Sequence, residues 1–202
     1  ELTKISIITP TYNRMLLLLR LWDSLKNQKF LGFEWIIIDD GSTDNTETEI
    51  KKLNDKRIKY FKQENKGVNA ARLAGEKKIN MNSKYVIYID SDDAFFSSET
   101  ILDMYNHITK TDNSISSVIF SSVDGNTGEL VSILPKNKDR IKYIDSLVGE
   151  KFVGDAIAIQ KIETLKDAYW PDKVSGCEFL RHWTLNKKYD FLSINKPGKR
   201  YF

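Results

Sequence analysis

The sequence contains one cysteine, Cys177, together with only four prolines and ten glycines in 202 residues. A single cysteine cannot form an intramolecular disulfide, which excludes a small secreted scaffold held by disulfides and favours a reducing compartment such as the cytoplasm. The low proline and glycine content and the absence of a biased tract exclude a collagen-like, disordered or low-complexity chain. The composition is that of an ordinary globular protein.

Long apolar runs and an excess of one charge are also absent. The longest purely apolar run near the start, Met15 to Leu19, is far shorter than the ~20 residues of a membrane-spanning helix. We therefore predict no transmembrane segment, while contact with a membrane surface through a partner stays open. The 31 basic and 28 acidic residues give a net charge of +3 and are spread over both halves of the chain. This distribution does not favour a nucleic-acid partner.

The first half of the chain alternates apolar β-branched runs with amphipathic segments. Strands alternating with helices of 10 to 15 residues are typical of βαβ units. We therefore predict an α/β fold in which a mostly parallel central sheet is flanked by helices. The predicted strands are 4–9, 35–38, 58–61 and 85–89, and the predicted helices are 13–27, 43–53 and 68–79.

The pattern is less regular after Asp93, and no repeat or linker separates the two parts. We predict a single domain over residues 1–202, divided near Phe96 into two functional halves, 1–96 and 97–202. In the second half the predicted helices are 98–109, 139–148, 161–169 and 177–186, and the predicted strands are 115–121 and 129–134.

Polar residues follow three of the predicted strands, at Thr9 to Asn13, Asp39-Asp40 and Asp90 to Asp93. In an open parallel sheet, ligands bind outside the carboxyl ends of the strands. Carboxylates gathered at one edge repel one another unless a cation or hydrogen-bond donors are present. Hard oxygen ligands suit Mg²⁺ or Mn²⁺, which complete their shells with water and substrate phosphates. The sequence therefore predicts a metal-bound diphosphate at this edge.

Four strings in this half resemble the successive motifs of glycosyltransferase family 2: SIITPTYNR, IIIDDGSTDNT, ENKGVNAARLAG and YVIYIDSDDAF. They occur in the family's order over residues 4–96, and the resemblance thins beyond residue 96. The resemblance implies a GT-A fold and an inverting transferase that uses a sugar nucleotide.

The resemblance also implies donor-binding residues. Thr9, Pro10 and Tyr12 are expected to line the pocket of the nucleobase. Asp39 is expected to hydrogen-bond the base, because an acceptor-only carboxylate can take the N–H of a pyrimidine. Arg72 is expected to approach the base or the diphosphate, whose negative charge it can balance without titrating.

The Asp-x-Asp of the family corresponds to Asp90 and Asp92. The resemblance implies that Asp90 serves the ribose side and that Asp92 is the principal ligand of Mn²⁺ or Mg²⁺. Asp93 is the alternative metal ligand, since a shift of one residue in the turn exchanges the two.

An inverting displacement needs a general base on the opposite face of the sugar. In the family this base is a carboxylate near the start of a late helix, often within Gly-Glu-Asp, and the matching stretch here is Ser175 to Leu180. We predict Glu178 as the base, although Cys177-Glu178 replaces the usual Glu-Asp pair. Asp155 and Asp172 are the alternatives. A Glu in the first turn of a helix is also favoured by the helix dipole alone.

The resemblance implies the transfer of a single sugar, with UDP as the expected carrier, to a hydroxyl of a glycan or a lipid-linked acceptor. The expected setting is the synthesis of bacterial surface polysaccharide, in the cytoplasm or at the inner face of the membrane. Two alternatives remain. A nucleotidyltransferase would need a glycine-rich loop where the chain has Thr9 to Asn13, and a catalytically silent binding module is supported only by the altered pair at Cys177-Glu178.

Overall fold

A computed structural model describes residues 2–134, 140–142, 153–169 and 178–202. Its helices are α1 (Met15–Lys26), α2 (Thr46–Lys52), α3 (Val68–Glu76), α4 (Thr100–Ile108) and α5 (Glu178–Asn186), with a 3₁₀ helix at Ile162–Asp167. Its first strands are β1 (Ile5–Thr11), β2 (Phe33–Asp39), β3 (Ile58–Lys62), β4 (Tyr85–Tyr88), β5 (Ala94–Phe95) and β6 (Ile115–Asp124). The later strands are β7 (Ser132–Ile133), β8 (Arg140–Ile141), β9 (Val153–Gly154), β10 (Ala156–Lys161) and β11 (Asp190–Tyr201).

One large sheet forms the centre of the described part of the chain. Its strand order is β3-β2-β1-β4-β10-β6-β11-β5, and β8 pairs with β11. The four strands from β3 to β4 are parallel, as predicted. Beyond them β10 is antiparallel to both β4 and β6, whereas β11 is parallel to β6. The sheet is therefore mixed in its second half, where the sequence no longer alternates strands with helices. Both predicted halves contribute to the same sheet.

The apolar runs of the sequence form the central strands of the sheet. Every residue of β1 and β2 is buried, as expected for parallel strands covered on both faces. On one face, Trp22 of α1 stacks on Trp35 of β2 with ring centroids 5.6 Å apart. On the other face α3 lies against β1 at Gly75, where an added Cβ would be 2.5 Å from Ile8. This close approach fixes the height of α3 over the sheet.

Strand β1 continues through Pro10 to Thr11, two residues beyond its predicted end. Pairing with β4 stops at Ile8, so Pro10 interrupts no hydrogen-bond ladder on that side. Pairing with β2 extends to Thr11. The proline therefore lies in the strand without breaking it.

The second half differs more from the prediction. Strand β11 was not predicted, and the helix predicted over 161–169 is a 3₁₀ helix at Ile162–Asp167. Residues Arg140–Ile141 form β8 where a helix over 139–148 was predicted, and residues 143–148 lie outside the described part. The helices predicted over 98–109 and 177–186 are present as α4 and α5. Among the described residues no helix is both long and apolar enough to cross a membrane.

Candidate active site

The loops after β1 and β2 form one unit at the carboxyl edge of the sheet. Asn13 adopts a left-handed backbone with φ of 52°, a conformation that asparagine tolerates better than most residues. Its amide oxygen accepts the backbone N–H of Thr43 at 2.8 Å, and its own N–H donates to the Ser42 hydroxyl at 2.8 Å. These hydrogen bonds therefore fix the positions of the two loops relative to each other at the carboxyl edge of the sheet.

Asp39 ends β2 and is fully buried. Its carboxylate accepts the backbone N–H of Ser42 at 2.6 Å and the hydroxyl of Tyr60. Burial and the neighbouring Asp39 carboxylate raise the pKa of Tyr60, which keeps the phenol protonated as a donor. Asp39 thus holds the turn after β2 and ties it to β3. The hydrogen bond of Asp39 with the nucleobase of the donor stays a prediction.

Asp40, for which the sequence predicts no specific role, follows Asp39 at this edge. It is buried and accepts the backbone N–H groups of Lys66 and Gly67 at 2.9 and 2.8 Å, and the Gln63 amide at 2.8 Å. These bonds fix the loop that leads into α3. The signal in the sequence was the second acidic residue directly after a buried strand.

Three residues predicted for the nucleobase pocket follow one another closely in β1 and its loop. Thr9 and Pro10 are buried, and the Thr9 hydroxyl accepts the indole N–H of Trp35 at 3.0 Å. Tyr12 is half-exposed. Of the three, Tyr12 therefore offers the accessible aromatic surface on which a base can stack.

Arg72 of α3 and Asp90 after β4 meet at this edge. A guanidinium nitrogen of Arg72 lies 2.6 Å from a carboxylate oxygen of Asp90. The Arg72 side chain is buried, whereas 44% of the Asp90 side chain is exposed. The pair therefore presents a fixed cation beside an accessible carboxylate.

Asp92 follows Asp90 by two residues, and one-third of its side chain is exposed. Its carboxylate is 2.7 Å from the Arg14 guanidinium, and Arg20 donates to its backbone carbonyl. In the described part of the chain, no three His, Cys, Asp or Glu side chains converge on a common point suited to a metal ion. A metal at Asp92 would therefore need ligands from water and from a bound diphosphate, as Mg²⁺ usually does.

Asp93 faces the interior. It is buried and forms an ion pair with the buried Lys199 of β11, which also pairs with Asp155 ahead of β10. Burial raises the pKa of Asp93 to about 6, against the opposing attraction of Lys199. Lys199 thus joins the loop after β4 to two elements of the second half. Its role as the predicted alternative metal ligand stays a prediction.

A cavity of about 590 Å³ opens between the two halves. The first half contributes Arg72, Tyr88 and Asp90 to its wall. The second half contributes the charged and aromatic residues Asp155, Arg181, His182, Trp183 and Lys199, with Ser117, Ile119, Ile141, Ala156, Ile157, Ala158, Gln160, Asn186 and Phe191. The volume is within the range of small-molecule sites.

A buried polar network not expected from the sequence closes one side of this cavity. Arg181 of α5 lies 3.1 Å from the Glu76 carboxylate and donates to the Tyr88 hydroxyl at 2.8 Å. Tyr88 in turn donates to Glu76 at 2.5 Å. Burial raises the pKa of Tyr88 well above its usual value, so the phenol remains a donor. The network links α5 to α3 and β4.

The structure describes the three candidate general bases to different extents. Glu178 is the first residue of α5, and its side chain lies outside the described part of the structure. Asp172 also lies outside it. Asp155 is on the cavity wall with a partly exposed side chain. The structure therefore brings Arg72, Asp90 and Asp155 to one cavity, and Asp92 lies two residues after Asp90 in the chain.

The family model of Glycosyl transferase family 2 matches residues 6–163. The chain belongs to glycosyltransferase family 2. The match confirms the resemblance drawn from the four motifs.

Known proteins similar to this family 2 chain include two curated bacterial relatives. It is 41% identical over 102 residues to an uncharacterized glycosyltransferase of Rickettsia bellii, a match covering 50% of the chain and 14% of the relative. It is 29% identical over 206 residues to the GalNAc(5)-diNAcBac-PP-undecaprenol beta-1,3-glucosyltransferase of Campylobacter jejuni, covering 98% of the chain and 64% of the relative. The chain thus spans only part of the length of these relatives.

A solved structure carries the same fold. Staphylococcus aureus TarS 1-349 in complex with UDP-GlcNAc superimposes with a TM-score of 0.80 at 23% identity, covering 98% of this chain and 58% of TarS. This likeness confirms the predicted GT-A fold, an α/β architecture with a central sheet flanked by helices.

Proposed function

We propose that this family 2 chain is a metal-dependent, inverting glycosyltransferase. It moves a single sugar from a UDP-sugar to a hydroxyl of a glycan or a lipid-linked acceptor. The observation that carries this proposal is the cavity in which Arg72 and Asp90 of the first half face Asp155 of the second half. A transferase needs a donor site and an acceptor site within reach of one reacting carbon, and this cavity has walls from both halves.

The donor side is assigned to the edge formed by β1, β2 and β4. Tyr12 offers its exposed ring to the base, with Thr9, Pro10 and Asp39 behind it. Asp90 is assigned to the ribose, and Arg72 balances the charge of the diphosphate. Arg72 suits this role because its guanidinium stays charged and is already oriented by Asp90 at 2.6 Å.

The carboxylate of Asp92 is suited to bind Mn²⁺ or Mg²⁺. This carboxylate is partly exposed, follows a sheet edge rich in carboxylates and forms an ion pair with the partly exposed Arg14. Asp92 would hold the metal, with Asp93 kept behind it by Lys199. A divalent cation bound there would stabilise the charge that develops on the leaving diphosphate.

The second half is assigned to the acceptor. Glu178 would take the proton from the acceptor hydroxyl, because the helix that it begins lines the cavity through Arg181, His182 and Trp183. Asp155 is the alternative, since it already lies on the cavity wall. The single domain with a donor half and an acceptor half remains part of this proposal.

The relatives supply the support for the substrate classes. TarS is solved with UDP-GlcNAc, which favours UDP as the carrier. The Campylobacter relative is named for an undecaprenol-linked acceptor, which favours a lipid-linked saccharide in surface glycan synthesis. A cytoplasmic location, at the inner face of the membrane when bound to such an acceptor, belongs to the same proposal and is supported by the single cysteine.

A thermal-shift experiment tests the donor side. The purified chain is heated with UDP, GDP, dTDP or CDP, each with and without Mn²⁺. A ligand at 100 times its Kd stabilises the folded state by about 2.7 kcal/mol, so a shift for UDP that requires Mn²⁺ is expected. A shift for another nucleotide alone would overturn the assignment of UDP, and equal shifts without metal would overturn metal dependence. Metal-dependent binding without transfer from UDP-sugars to any saccharide acceptor would favour a silent binding module.

A further inference from the structure

Arg181 is the most deeply buried charged side chain on the wall of the cavity, with 2% of its side chain exposed. Its guanidinium contacts three elements at once. It lies 3.1 Å from Glu76 of α3, donates to the Tyr88 hydroxyl of β4 at 2.8 Å and to the Gln160 amide oxygen of β10 at 3.4 Å. Its carbon centre also lies 4.9 Å from the centroid of the Tyr88 ring. Such a side chain is fixed in one orientation.

The partners of Arg181 belong to the elements that carry the donor site. Glu76 is four residues after Arg72 in α3, so the two positions lie on one face of that helix. Tyr88 is two residues before Asp90, at the end of β4 from which the Asp-x-Asp turn leaves. The Arg72–Asp90 pair and the Glu76–Tyr88–Arg181 network are therefore two successive links between the same two elements.

The other end of this link is helix α5. Its first residue, Glu178, is three positions before Arg181, which is about one helical turn. Among the described side chains of α5, Arg181 bonds Glu76 and Tyr88 of the first half. Leu185, by contrast, packs in an apolar cluster of the second half. The position of the helix N-terminus relative to the donor edge therefore depends on how Arg181 is held.

We propose that Arg181 is a positioning residue for sugar transfer. By binding Glu76 and Tyr88 it sets the distance between the N-terminus of α5, where the proposed base lies, and the Arg72–Asp90 pair at the donor site. This inference rests on the proposed function. It adds that the approach of base and donor is fixed by a buried contact within the wall of the cavity.

Arginine suits this role better than a smaller cation. Its planar fork offers several N–H groups in fixed directions, so that one side chain bonds a carboxylate, a phenol and an amide. A lysine at the same position would carry the charge but would not reach all three partners in one geometry. The network thus explains why this buried position on the cavity wall holds an arginine.

The experiment compares kcat and the Kd for UDP in Arg181→Met, alone and with Glu178→Gln. A displacement of about 1 Å at a reacting group can cost roughly 100-fold in rate, so Arg181→Met is expected to lower kcat about 10- to 100-fold. The Kd for UDP should change less than about threefold, because the donor edge remains intact. In the Glu178→Gln background, Arg181→Met should lower kcat by less than about twofold, since both changes remove the same contribution.

Two further variants keep the test valid if Arg181→Met does not fold. Glu76→Gln combined with Arg181→Met leaves no unpaired buried charge, and the same loss of kcat is expected. Tyr88→Phe removes one hydroxyl from the network and should lower kcat by roughly fivefold, the scale of one hydrogen bond. Arg181→Lys should recover part of the rate.

Arg57→Met is the control. It breaks an ion pair to Asp55 at the β3 edge of the sheet and should leave kcat unchanged.

The outcomes separate the inference from the proposed function. A wild-type chain that transfers no sugar contradicts the proposed function, and a Glu178→Gln variant with the wild-type kcat contradicts the base assignment on which the inference rests. A wild-type kcat in Arg181→Met contradicts the positioning role. The positioning role is also contradicted if the loss of kcat in Arg181→Met multiplies fully with the loss in Glu178→Gln. Independent effects on kcat would indicate only a role in stability.

Discussion

The Arg14 guanidinium lies 2.7 Å from the Asp92 carboxylate, although the two residues follow different strands, β1 and β4. Both side chains are partly exposed, so this ion pair contributes little to stability. It places a cation where the proposed function needs a divalent metal. A metal bound at Asp92 would therefore compete with Arg14 for the same carboxylate.

This competition makes the metal assignment testable. Asp92→Asn is expected to weaken the binding of Mn²⁺ in the presence of UDP by at least about tenfold, because one anionic ligand is lost. Arg14→Met is expected to strengthen it by a few-fold, because the competing cation is removed. Isothermal titration calorimetry of Mn²⁺ into the UDP-bound protein measures both.

Asp23→Asn is the matched control, since Asp23 forms an exposed ion pair with Lys26 of α1. Its Mn²⁺ affinity should equal that of the wild type. Equal affinities for Asp92→Asn and the wild type would contradict the assignment of Asp92, and a loss in Asp93→Asn with none in Asp92→Asn would move the metal to Asp93.

The base assignment gives a second prediction. Glu178→Gln is expected to lower kcat by about 10²- to 10⁴-fold, the usual contribution of a general base, with little change in the Kd for UDP. Asp155→Asn is expected to retain most of the rate. Initial rates with a UDP-sugar and a saccharide acceptor, at saturating concentrations of both, measure the effect. The reverse result would assign the base to Asp155.

Much of the first half could be predicted because its signals are local. The run Trp35 to Ile38 is continuous and apolar, and it ends in acidic turn residues, so strand and site edge are visible in one stretch of sequence. The meeting of Arg72 and Asp90 follows from the βαβ topology. These features need no information from distant parts of the chain.

The second half could not be predicted in the same way. Strand β11 contains Pro197 and alternates poorly, and its pairing with β6 shifts register around that proline. Its hydrogen bonds come from a strand about 75 residues away in sequence, so no local pattern reveals it. The partners Lys199–Asp93 and Arg181–Glu76 depend on that pairing and on the placement of α5, which is why the sequence pointed to neither.

The close approach of α3 to β1 gives a third prediction. An alanine at Gly75 would bring a Cβ to 2.5 Å from Ile8. Overpacking of this kind costs about 1–3 kcal/mol, so Gly75→Ala is expected to lower the free energy of unfolding by that amount. Because α3 carries Arg72, the affinity for UDP should fall as well.

A double-mutant cycle with Ile8→Ala tests the cause. Gly75→Ala should cost less in the Ile8→Ala background, where the side chain that it meets has been shortened. Urea denaturation of the single and double variants measures the coupling. Additive effects would indicate that the cost comes from another source than this contact.

Two lysines of β11 give the last prediction. Lys199 is buried between Asp93 and Asp155, whereas Lys196 pairs with Asp103 at the surface, 3.4 Å away. Removing one partner of a buried ion pair costs about 3–5 kcal/mol, because the remaining charge stays buried. Removing an exposed partner costs at most about 1 kcal/mol. Lys199→Met should therefore lower the free energy of unfolding far more than Lys196→Met.

The loss of unfolding free energy in Lys199→Met should depend on pH in a defined direction. Burial raises the pKa of Asp93 to about 6, above its value in an unfolded chain, so the folded state binds the proton more tightly and is favoured as the pH falls. Without Lys199 this carboxyl loses its cation, and its pKa rises further. The cost of Lys199→Met is therefore expected to be larger at pH 8 than at pH 5. Urea denaturation at both values in a metal-free buffer measures it, and a cost independent of pH would mean that Asp93 is not the charge that Lys199 balances.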